Sequence, residues 1–210
     1  MLKLIAVFTM LVDHIGYVFF PTTIIFTIIG RLSFPLFAWS IANGIRKTRS
    51  VKKYGTRILL LALISQIPYA LLFKNNNLNV CFTLLFGIIC IELLRNQINP
   101  ILKYVGVTIC LLVGEFLNFD YGIYGILTIV IFYCFHKKYH LILIFQTVIT
   151  LASLEIYHYS VVQVYSLVAS ILIILLNSYD RFKINKYFYY TFFPGHIIIL
   201  IILKKLLSNS

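Results

Sequence analysis

Two ionisable residues, Asp13 and His14, stand side by side within the first long apolar run of this sequence. Carboxylates and imidazoles are costly to place in lipid, so an intramembrane pair is by default a functional hypothesis. Neighbouring side chains on a helix diverge by about 100°. These two therefore cannot form the aligned carboxylate–imidazole pair of a hydrolase triad, and each needs a partner elsewhere.

Arg31 is the expected partner of Asp13. It lies at a similar depth in the second apolar run, and a short turn through Pro21 makes the two runs antiparallel neighbours. We expect an Asp13–Arg31 ion pair, which either serves chemistry or only locks two helices together, because buried pairs are often architectural. The pairing would leave His14 as a general base near neutral pH, with a hydrogen bond to a neighbouring carbonyl as the alternative.

His196 follows Pro194 and Gly195 about one-third of the way into the last apolar run. A proline frees a backbone carbonyl, and membrane helices tolerate such breaks mainly where they line protein or water. His196 is thus a second candidate site residue. A satisfied histidine at a simple kink is the alternative.

A cluster of cations runs from Arg46 to Arg57, between the second and third apolar runs. These side chains could hold a polyphosphate by charge attraction and hydrogen bonds, although the glycine spacing of a P-loop is missing. The alternative is a topology signal, because lysine and arginine concentrate in cytoplasmic loops.

The composition excludes a soluble globular protein, since 61% of the 210 residues are hydrophobic and only 11% are charged. We predict one membrane-embedded domain over residues 1–210, in contact with membrane lipids. The net charge of +12 falls in short loops between apolar runs, so nucleic acid is excluded as a partner. The four cysteines lie singly within apolar runs, which predicts neither disulfides nor a metal site.

A spanning helix needs about 20 mostly apolar residues. By this measure the sequence predicts an all-α, polytopic transmembrane bundle of about nine spans. The predicted spans are residues 2–20, 24–45, 54–73, 79–95, 101–117, 121–135, 139–154, 160–176 and 187–207. Asp13 and His14 interrupt the first run and no cleavage site follows it, so we interpret it as a retained span.

Charged and polar residues divide between the two sides of this layout. Most cations fall in loops on the N-terminal side, including residues 181–186, and only Lys74, Lys204 and Lys205 map opposite, which predicts a cytoplasmic N-terminus. The polar residues favour the outer half, and together they predict a cavity opening outward above a basic rim. They are Asp13, His14, Arg31, Gln66, Asn75 to Asn77, Thr83, Glu115, Asp120, Glu155 and His158.

Several stretches form a recognisable pattern: residues 2–6 running into 10–16, then 29–38, 54–57, 65–69, 82–87, 120–122 and 193–196. Together they resemble the TraX family, typified by the F-pilin acetyltransferase of conjugative plasmids. Their order and approximate spacing agree over most of the chain. The resemblance implies a multi-pass enzyme of the bacterial inner membrane that moves an acetyl group from acetyl-CoA to an amine.

The resemblance implies that Asp13, His14, Arg31, Arg57, Gln66, Thr83 and His196 are the residues to test. From these and the cation cluster we expect His14, Asp13, Arg31 and His196 to be catalytic, the last as a second base or a transient acetyl carrier. Acetyl-CoA, used without a metal, would lie against Arg46, Lys53, Tyr54 and Arg57. The acceptor, a peptide, a protein N-terminus or an envelope amine, would contact Gln66, Thr83, Asp120 and Tyr121.

Three other functions fit the same residues. An O-acyltransferase acting on an envelope glycan or lipid would use the same base and oxyanion groups on an alcohol. A proton-coupled small-molecule transporter also typically carries intramembrane Asp, His and Arg. A non-catalytic assembly chaperone would tolerate the loss of His14.

Overall fold

The computed structural model describes residues 1–156, 159–176 and 186–208, and regular structure in these ranges is helical. The helices are α1 (Leu2–Phe19), α2 (Ile24–Gly30), α3 (Ser33–Lys47), α4 (Val51–Phe73), α5 (Val80–Arg95), α6 (Pro100–Phe116), α7 (Gly122–Cys134), α8 (Tyr139–Ile156), α9 (Ser166–Leu176) and α10 (Lys186–Ser208). A 3-10 helix, Val161–Tyr165, leads into α9. The prediction of an all-α fold is confirmed.

Five helical segments are long and apolar enough to cross a membrane: Leu2–Phe19, Ile24–Lys47, Val51–Phe73, Tyr139–Ile156 and Phe188–Leu207. The chain is thus an integral membrane protein. Each predicted span contains helix, but α5, α6, α7 and the segment Val161–Leu176 are shorter than a full crossing usually needs. The total of nine crossings stays a prediction. His158 and the loop cations Arg181 and Lys183 lie outside the described residues.

The outside of the bundle is apolar. Phe8, Ile67 and Phe116 have 63%, 72% and 86% of their surface exposed, whereas the polar Thr83 and Gln146 are fully buried. A protein folded in water would reverse this pattern. Lipid accepts such a surface at no cost, and the polar groups then find their partners inside.

The second predicted span is two helices, because α2 ends at Gly30 and α3 begins at Ser33. Pro35 explains the break. Its ring lacks an N–H and clashes with the carbonyl four residues earlier, which is that of Arg31. The helical path is interrupted at this point, so Arg31 lies in the corner between the two helices.

Short polar side chains begin several helices. Ser50, Asn79 and Asn99 cap α4, α5 and α6 by accepting hydrogen bonds from backbone N–H groups two or three residues ahead. Pro100 then occupies the first position of α6, where its missing N–H costs nothing. These caps fix where the loops meet the bundle.

Helices α1 and α10 run in the same direction. Lys3 at the start of α1 lies 5.5 Å from the Tyr189 ring centroid near the start of α10, and His14 meets His196 further along both helices. We call the end of the bundle near Lys3 the basic end. The opposite end gathers the loops 20–23, 74–79 and 117–121, and we call it the acidic end.

The acidic-end loops are tied to one another by backbone hydrogen bonds. Leu78 N–H donates to Asn118 O at 3.1 Å, and Asp120 N–H donates to Leu78 O at 2.8 Å. Below them, α3 packs against α7, with Trp39 edge-on to Phe132 at 5.7 Å and Phe34 stacked on Tyr121 at 4.2 Å. The α3–α7 contact therefore holds the loop around Asp120 in place.

Candidate functional site

Two cavities lie back to back along the bundle. The acidic cavity, of about 450 Å³, lies at the acidic end, and its polar lining includes Asp13, His14, Arg31, Tyr69, Asn75, Asn77, Asp120 and Tyr121. The basic cavity, of about 350 Å³, lies at the basic end, and its polar lining includes Lys3, Ser40, Lys47, Thr48, Tyr54, Arg57, Tyr189 and Tyr190. A polar cavity with a basic region beyond it was predicted from the sequence, and the structure contains both.

His14 and His196 form a hydrogen-bonded pair at the acidic cavity. His14 Nδ1 lies 2.8 Å from His196 Nε2, and the two ring planes are within 13° of each other. The ring centroids are 5.0 Å apart, so the imidazoles meet edge to edge rather than face to face. The sequence pointed to both histidines, but their direct contact is a finding of the structure.

The hydrogen bonds of this pair determine which nitrogens carry protons. His196 Nδ1 lies 2.7 Å from the Phe192 carbonyl oxygen, which can only accept, so Nδ1 carries a hydrogen. In a neutral imidazole, His196 Nε2 is then an acceptor, and His14 Nδ1 donates to it. The lone pair of His14 is left on Nε2. This is the tautomer that a general base needs.

Aromatic rings enclose the histidine pair. Phe192 stacks on His196 at 4.7 Å, and Phe73 meets His14 edge-on at 5.1 Å. His14 and His196 are only 9% and 5% exposed. His14 lines the acidic cavity, whereas His196 lies behind it with both ring nitrogens hydrogen-bonded. The acetyl-carrier role suggested for His196 therefore lacks an open nitrogen, and the geometry suits a positioning residue.

Asp13 packs against a glycine on the neighbouring helix. A Cβ atom built at Gly30 would overlap the Asp13 carboxyl, so only glycine leaves room for this side chain. In the same way, a Cβ atom at Gly16 would overlap Phe26. The two glycines let α1 and α2 approach closely, which brings the Asp13 carboxyl beside the break that contains Arg31.

Arg31 faces several groups rather than one. Its guanidinium interacts electrostatically with Asp13, Asp120 and Tyr121, but no nitrogen–oxygen approach within 4.0 Å joins it to Asp13 among the described residues. The predicted partners therefore interact electrostatically but without a contact at salt-bridge distance, and Arg31 is shared between the carboxylates of Asp13 and Asp120. Its Nε–H is buried and has no hydrogen-bond partner in the described part of the chain. A buried N–H group without a partner indicates that a bound ligand could supply the hydrogen-bond acceptor.

Asp120 and Tyr121 reach the cavity through an unusual turn. Tyr121 has φ of +66° and Gly122 has φ of +40°, both in the left-handed region that a tyrosine rarely adopts. Stacking of Tyr121 on Phe34 and the Asp120–Leu78 backbone bond hold this conformation. Backbone strain of this kind persists only where surrounding contacts impose it, and it clusters at functional sites.

Asp120 has a perturbed acidity. Burial raises its pKa to about 6, and the negative charge of Asp13 acts in the same direction, while Arg31 and hydrogen bonds from Tyr121 and Tyr69 oppose the rise. The carboxyl therefore changes its charge close to physiological pH. Perturbed titrating groups in a cavity are typical of functional sites.

Gln66 and Thr83, predicted to contact the acceptor, do not line the acidic cavity. Gln66 accepts from Asn79 N–H at 3.0 Å and donates to the Asn77 carbonyl at 2.9 Å, which ties the loop 74–79 to α4. The Thr83 hydroxyl donates to the Asp120 carbonyl. Both residues position the cavity wall, whereas Asp120 and Tyr121 form part of it.

The predicted phosphate cluster divides in the structure. Tyr54 and Arg57 line the basic cavity, but Arg46 and Lys53 do not. Arg46 lies over the Tyr133 ring at 4.3 Å and donates to the Tyr133 carbonyl, so it joins α3 to α7. Lys53 is exposed on α4.

Sequence reasoning missed several lining residues, among them Lys3 and Tyr69, and it named Lys47 only as part of the cation run from Arg46 to Arg57. Lys3 and Lys47 replace Arg46 and Lys53 as cations of the basic cavity, since helical phase decides which cations of a cluster face inward. Tyr69 lines the acidic cavity one residue after Pro68, within the matched stretch 65–69. A tyrosine beside a helix-breaking proline in an apolar span was the available signal.

The described residues contain no cluster of three or more His, Cys, Asp or Glu side chains able to hold a metal ion. Their four cysteines, Cys81, Cys90, Cys110 and Cys134, are free thiols. The acidic cavity offers imidazole, carboxylate, guanidinium and phenol groups.

Comparison with known proteins identifies a family and a curated relative of this chain. A family model described as TraX protein matches residues 1–204. An uncharacterised protein of Rickettsia prowazekii (strain Madrid E) is 31% identical over 147 residues, which is 67% of this chain and 57% of the relative. The aligned part thus spans little more than half the length of that relative. No solved structure matches the chain.

Proposed function

Because this chain belongs to the TraX family, we propose that it is an integral membrane N-acetyltransferase that uses acetyl-CoA. The observation that carries the proposal is the position of the histidine pair. His14, with its basic nitrogen set by His196, lies where a cation-lined cavity and a carboxylate-lined cavity adjoin. A donor rich in phosphate and an acceptor rich in amine suit these two environments.

The acetyl donor enters from the basic cavity in this proposal. Lys3, Lys47 and Arg57 offer positive charge to the phosphates of acetyl-CoA, and Tyr54 and Tyr190 offer aromatic faces. Deeper in the cavity the lining is apolar, with Ile58, Leu61 and Leu84 among the side chains. A ligand with a charged end and a thin apolar arm suits this gradient.

The acceptor amine enters from the acidic cavity. An amine arrives mostly as an ammonium ion at neutral pH, and the carboxylates of Asp13 and Asp120 attract that charge. Asn75 and Asn77 add amide groups at the mouth, where a peptide backbone could bond. A protein N-terminus or another envelope amine fits this description.

The transfer then needs one base and one oxyanion donor. The bound ammonium first releases one proton to solvent at the mouth of the acidic cavity, which frees the lone pair of its nitrogen. As this nitrogen attacks the thioester carbonyl, His14 Nε2 takes the second proton that the nitrogen loses. The bond from His14 Nδ1 to His196 stabilises the imidazolium that results. The unpartnered Nε–H of Arg31 is available to the oxyanion. Collapse of the intermediate breaks the C–S bond, and His14 returns the proton to the CoA thiolate.

We place this protein in the bacterial inner membrane with the basic end in the cytoplasm. The placement rests on the positive-inside rule, since the loops near Lys3, Lys47 and Arg57 carry most of the cations. The basic cavity would then face the compartment that holds acetyl-CoA. A reporter fused before Met1 should remain cytoplasmic, and one fused after Ser210 should be exported, because α1 and α10 run parallel.

The activity test uses the full-length protein in lipid nanodiscs with acetyl-CoA and triglycine as a model N-terminal amine. We expect release of CoA thiol together with N-acetyltriglycine, identified by mass. N-acetylated triglycine is the matched acceptor with a blocked amine, and it should release no thiol above background. Initial-rate lines should intersect, since direct transfer needs both substrates bound at once.

The alternatives give different results in the same assay. Transfer to glycerol but not to triglycine would replace the amine with an alcohol acceptor. If no acceptor leads to release of CoA thiol, the result counts against an acetyltransferase and in favour of a carrier. Full function of His14→Ala in the cell would indicate a non-catalytic role.

A further inference from the structure

Four side chains belong to the walls of both cavities: Met10, Phe37, Val80 and Phe193. We call these four residues the septum. They come from α1, α3, α5 and α10, so the septum is assembled from four separate parts of the chain. It is the layer of side chains that the basic and acidic cavities have in common.

The septum lies against the histidine pair. Met10 precedes His14 by one turn of α1, and Phe193 precedes His196 by almost one turn of α10. Residues three or four apart share a helix face, so both septum residues point to the same side as the histidine that follows them. A group that passes the septum from the basic cavity therefore arrives beside His14.

The septum is wholly apolar. None of its four side chains offers a charge or a strong hydrogen bond, whereas both cavities carry polar groups on either side. Contact with the septum offers no favourable interaction to a phosphate or an ammonium group. Contact with the septum is favourable for a short hydrocarbon group, because it removes that group from water.

We propose that the septum selects the length of the acyl group, which deepens the acetyltransferase proposal and rests on it. During direct transfer the donor sulfur lies on the basic side and the attacking nitrogen on the acidic side. The carbonyl carbon lies between them, so the remaining carbons of the acyl group must fit among the septum side chains. Met10 and Phe193 are 6% and 7% exposed and Phe37 and Val80 are half-buried, so a longer acyl chain would have to displace packed side chains.

The test compares acetyl-, butyryl- and hexanoyl-CoA as donors, with triglycine as acceptor, in wild-type, Phe37→Ala and Val80→Ala proteins. We expect the ratio of kcat/KM for butyryl-CoA to that for acetyl-CoA to rise about tenfold or more in both variants. One methylene in an apolar pocket changes such ratios by roughly 10- to 200-fold. Phe145→Ala, which removes a ring stacked on Phe135 outside both cavities, should leave the ratio unchanged.

A second variant narrows the septum instead. Val80→Phe should slow acetyl transfer about tenfold or more while inhibition by free CoA, which carries no acyl group, stays within about twofold. Phe37→Leu replaces Phe37→Ala in the test if Phe37→Ala does not give a monodisperse protein.

An unchanged chain-length ratio in folded Phe37 and Val80 variants that still transfer acetyl groups would overturn the septum proposal alone. No thiol release by the wild-type protein from any donor would overturn both proposals.

Discussion

The His14 and His196 imidazoles are joined by a 2.8 Å hydrogen bond, although 182 positions separate them in the chain. The bond places a proton on His14 Nδ1 and leaves the lone pair of the ring on Nε2, the nitrogen that we propose as the base. An aspartate does this work in a serine protease triad. A neutral histidine backed by the Phe192 carbonyl does it here without adding a charge to the apolar interior.

The two histidines should differ when they are replaced. We expect His14→Ala to lower kcat by about 10³, since general base catalysis typically contributes 10² to 10⁴. His196→Ala should lower kcat by about 10² with little change in KM, and His196→Asn should recover part of the loss because its amide oxygen can accept from His14. Steady-state acetyl transfer to triglycine measures both effects. His140→Ala, an exposed histidine on α8, is the control, and equal effects at His14 and His140 would refute the assignment.

Asp120 should make acceptor binding depend on pH. Its pKa is raised by burial to about 6, so it is neutral below that pH and negative above it. The KM for triglycine should therefore fall as the pH rises from 5 to 7. Asp120→Asn should make this transition smaller and raise KM about tenfold at pH 7, with Asp13 as the remaining carboxyl of the cavity. Glu155→Gln, an exposed carboxylate on α8, should keep the wild-type profile. A transition of unchanged size in Asp120→Asn would rule out this origin.

Gly30→Ala should damage the site through crowding. Its Cβ atom would overlap the Asp13 carboxyl, so either the carboxyl moves or α2 separates from α1. We expect kcat/KM for acetyl transfer to fall at least tenfold. Gly195→Ala adds a methyl group with no atom within 4 Å and should leave kcat/KM within about twofold. Wild-type activity in Gly30→Ala would show that the position of Asp13 is unimportant.

The cations of the basic cavity should act on the donor alone. Lys47→Gln and Arg57→Gln should each raise the KM for acetyl-CoA about tenfold, because a hydrogen bond to a charged group is worth about 1.5–3 kcal/mol. The KM for triglycine should be unchanged. Arg49→Gln and Lys53→Gln neutralise exposed cations that do not line the cavity, and they are the matched controls. Equal effects in all four variants would indicate that the loop cations attract acetyl-CoA by their overall charge and not through a defined binding site.

Gln66→Ala should lower the free energy of unfolding rather than act directly on acetyl transfer. It removes the acceptor for the backbone and side-chain N–H groups of the buried Asn79, at a cost of about 1–3 kcal/mol. The midpoint of thermal unfolding in detergent should fall by several degrees, since about 1 kcal/mol corresponds to roughly 2–4 °C at this chain length. Asn76→Ala, at an exposed position of the same loop, should leave the midpoint unchanged. A large loss of activity at an unchanged midpoint would instead favour direct substrate contact by Gln66.

Composition and the order of apolar runs were enough to predict a helical membrane protein. The reason is that lipid offers no hydrogen-bond partners, so backbone groups must pair within each helix. The unusual placement of Asp13, His14, Arg31 and His196 was also visible in the sequence, because ionisable groups stand out in apolar runs. The family followed from the spacing of several such stretches.

Tertiary packing decided how those residues meet. The sequence could not show that α1 and α10 run side by side, which is what joins His14 to His196. Nor could it show that the second span breaks between Gly30 and Ser33 and that Arg31 is shared by Asp13 and Asp120. It also could not show that Lys47 rather than Arg46 lines the basic cavity. Apolar periodicity indicates which side chains avoid water but gives no information on which helices are neighbours. Which helices become neighbours depends on how their surfaces fit at contacts such as that between Gly30 and Asp13. These contacts form only when the helices pack together.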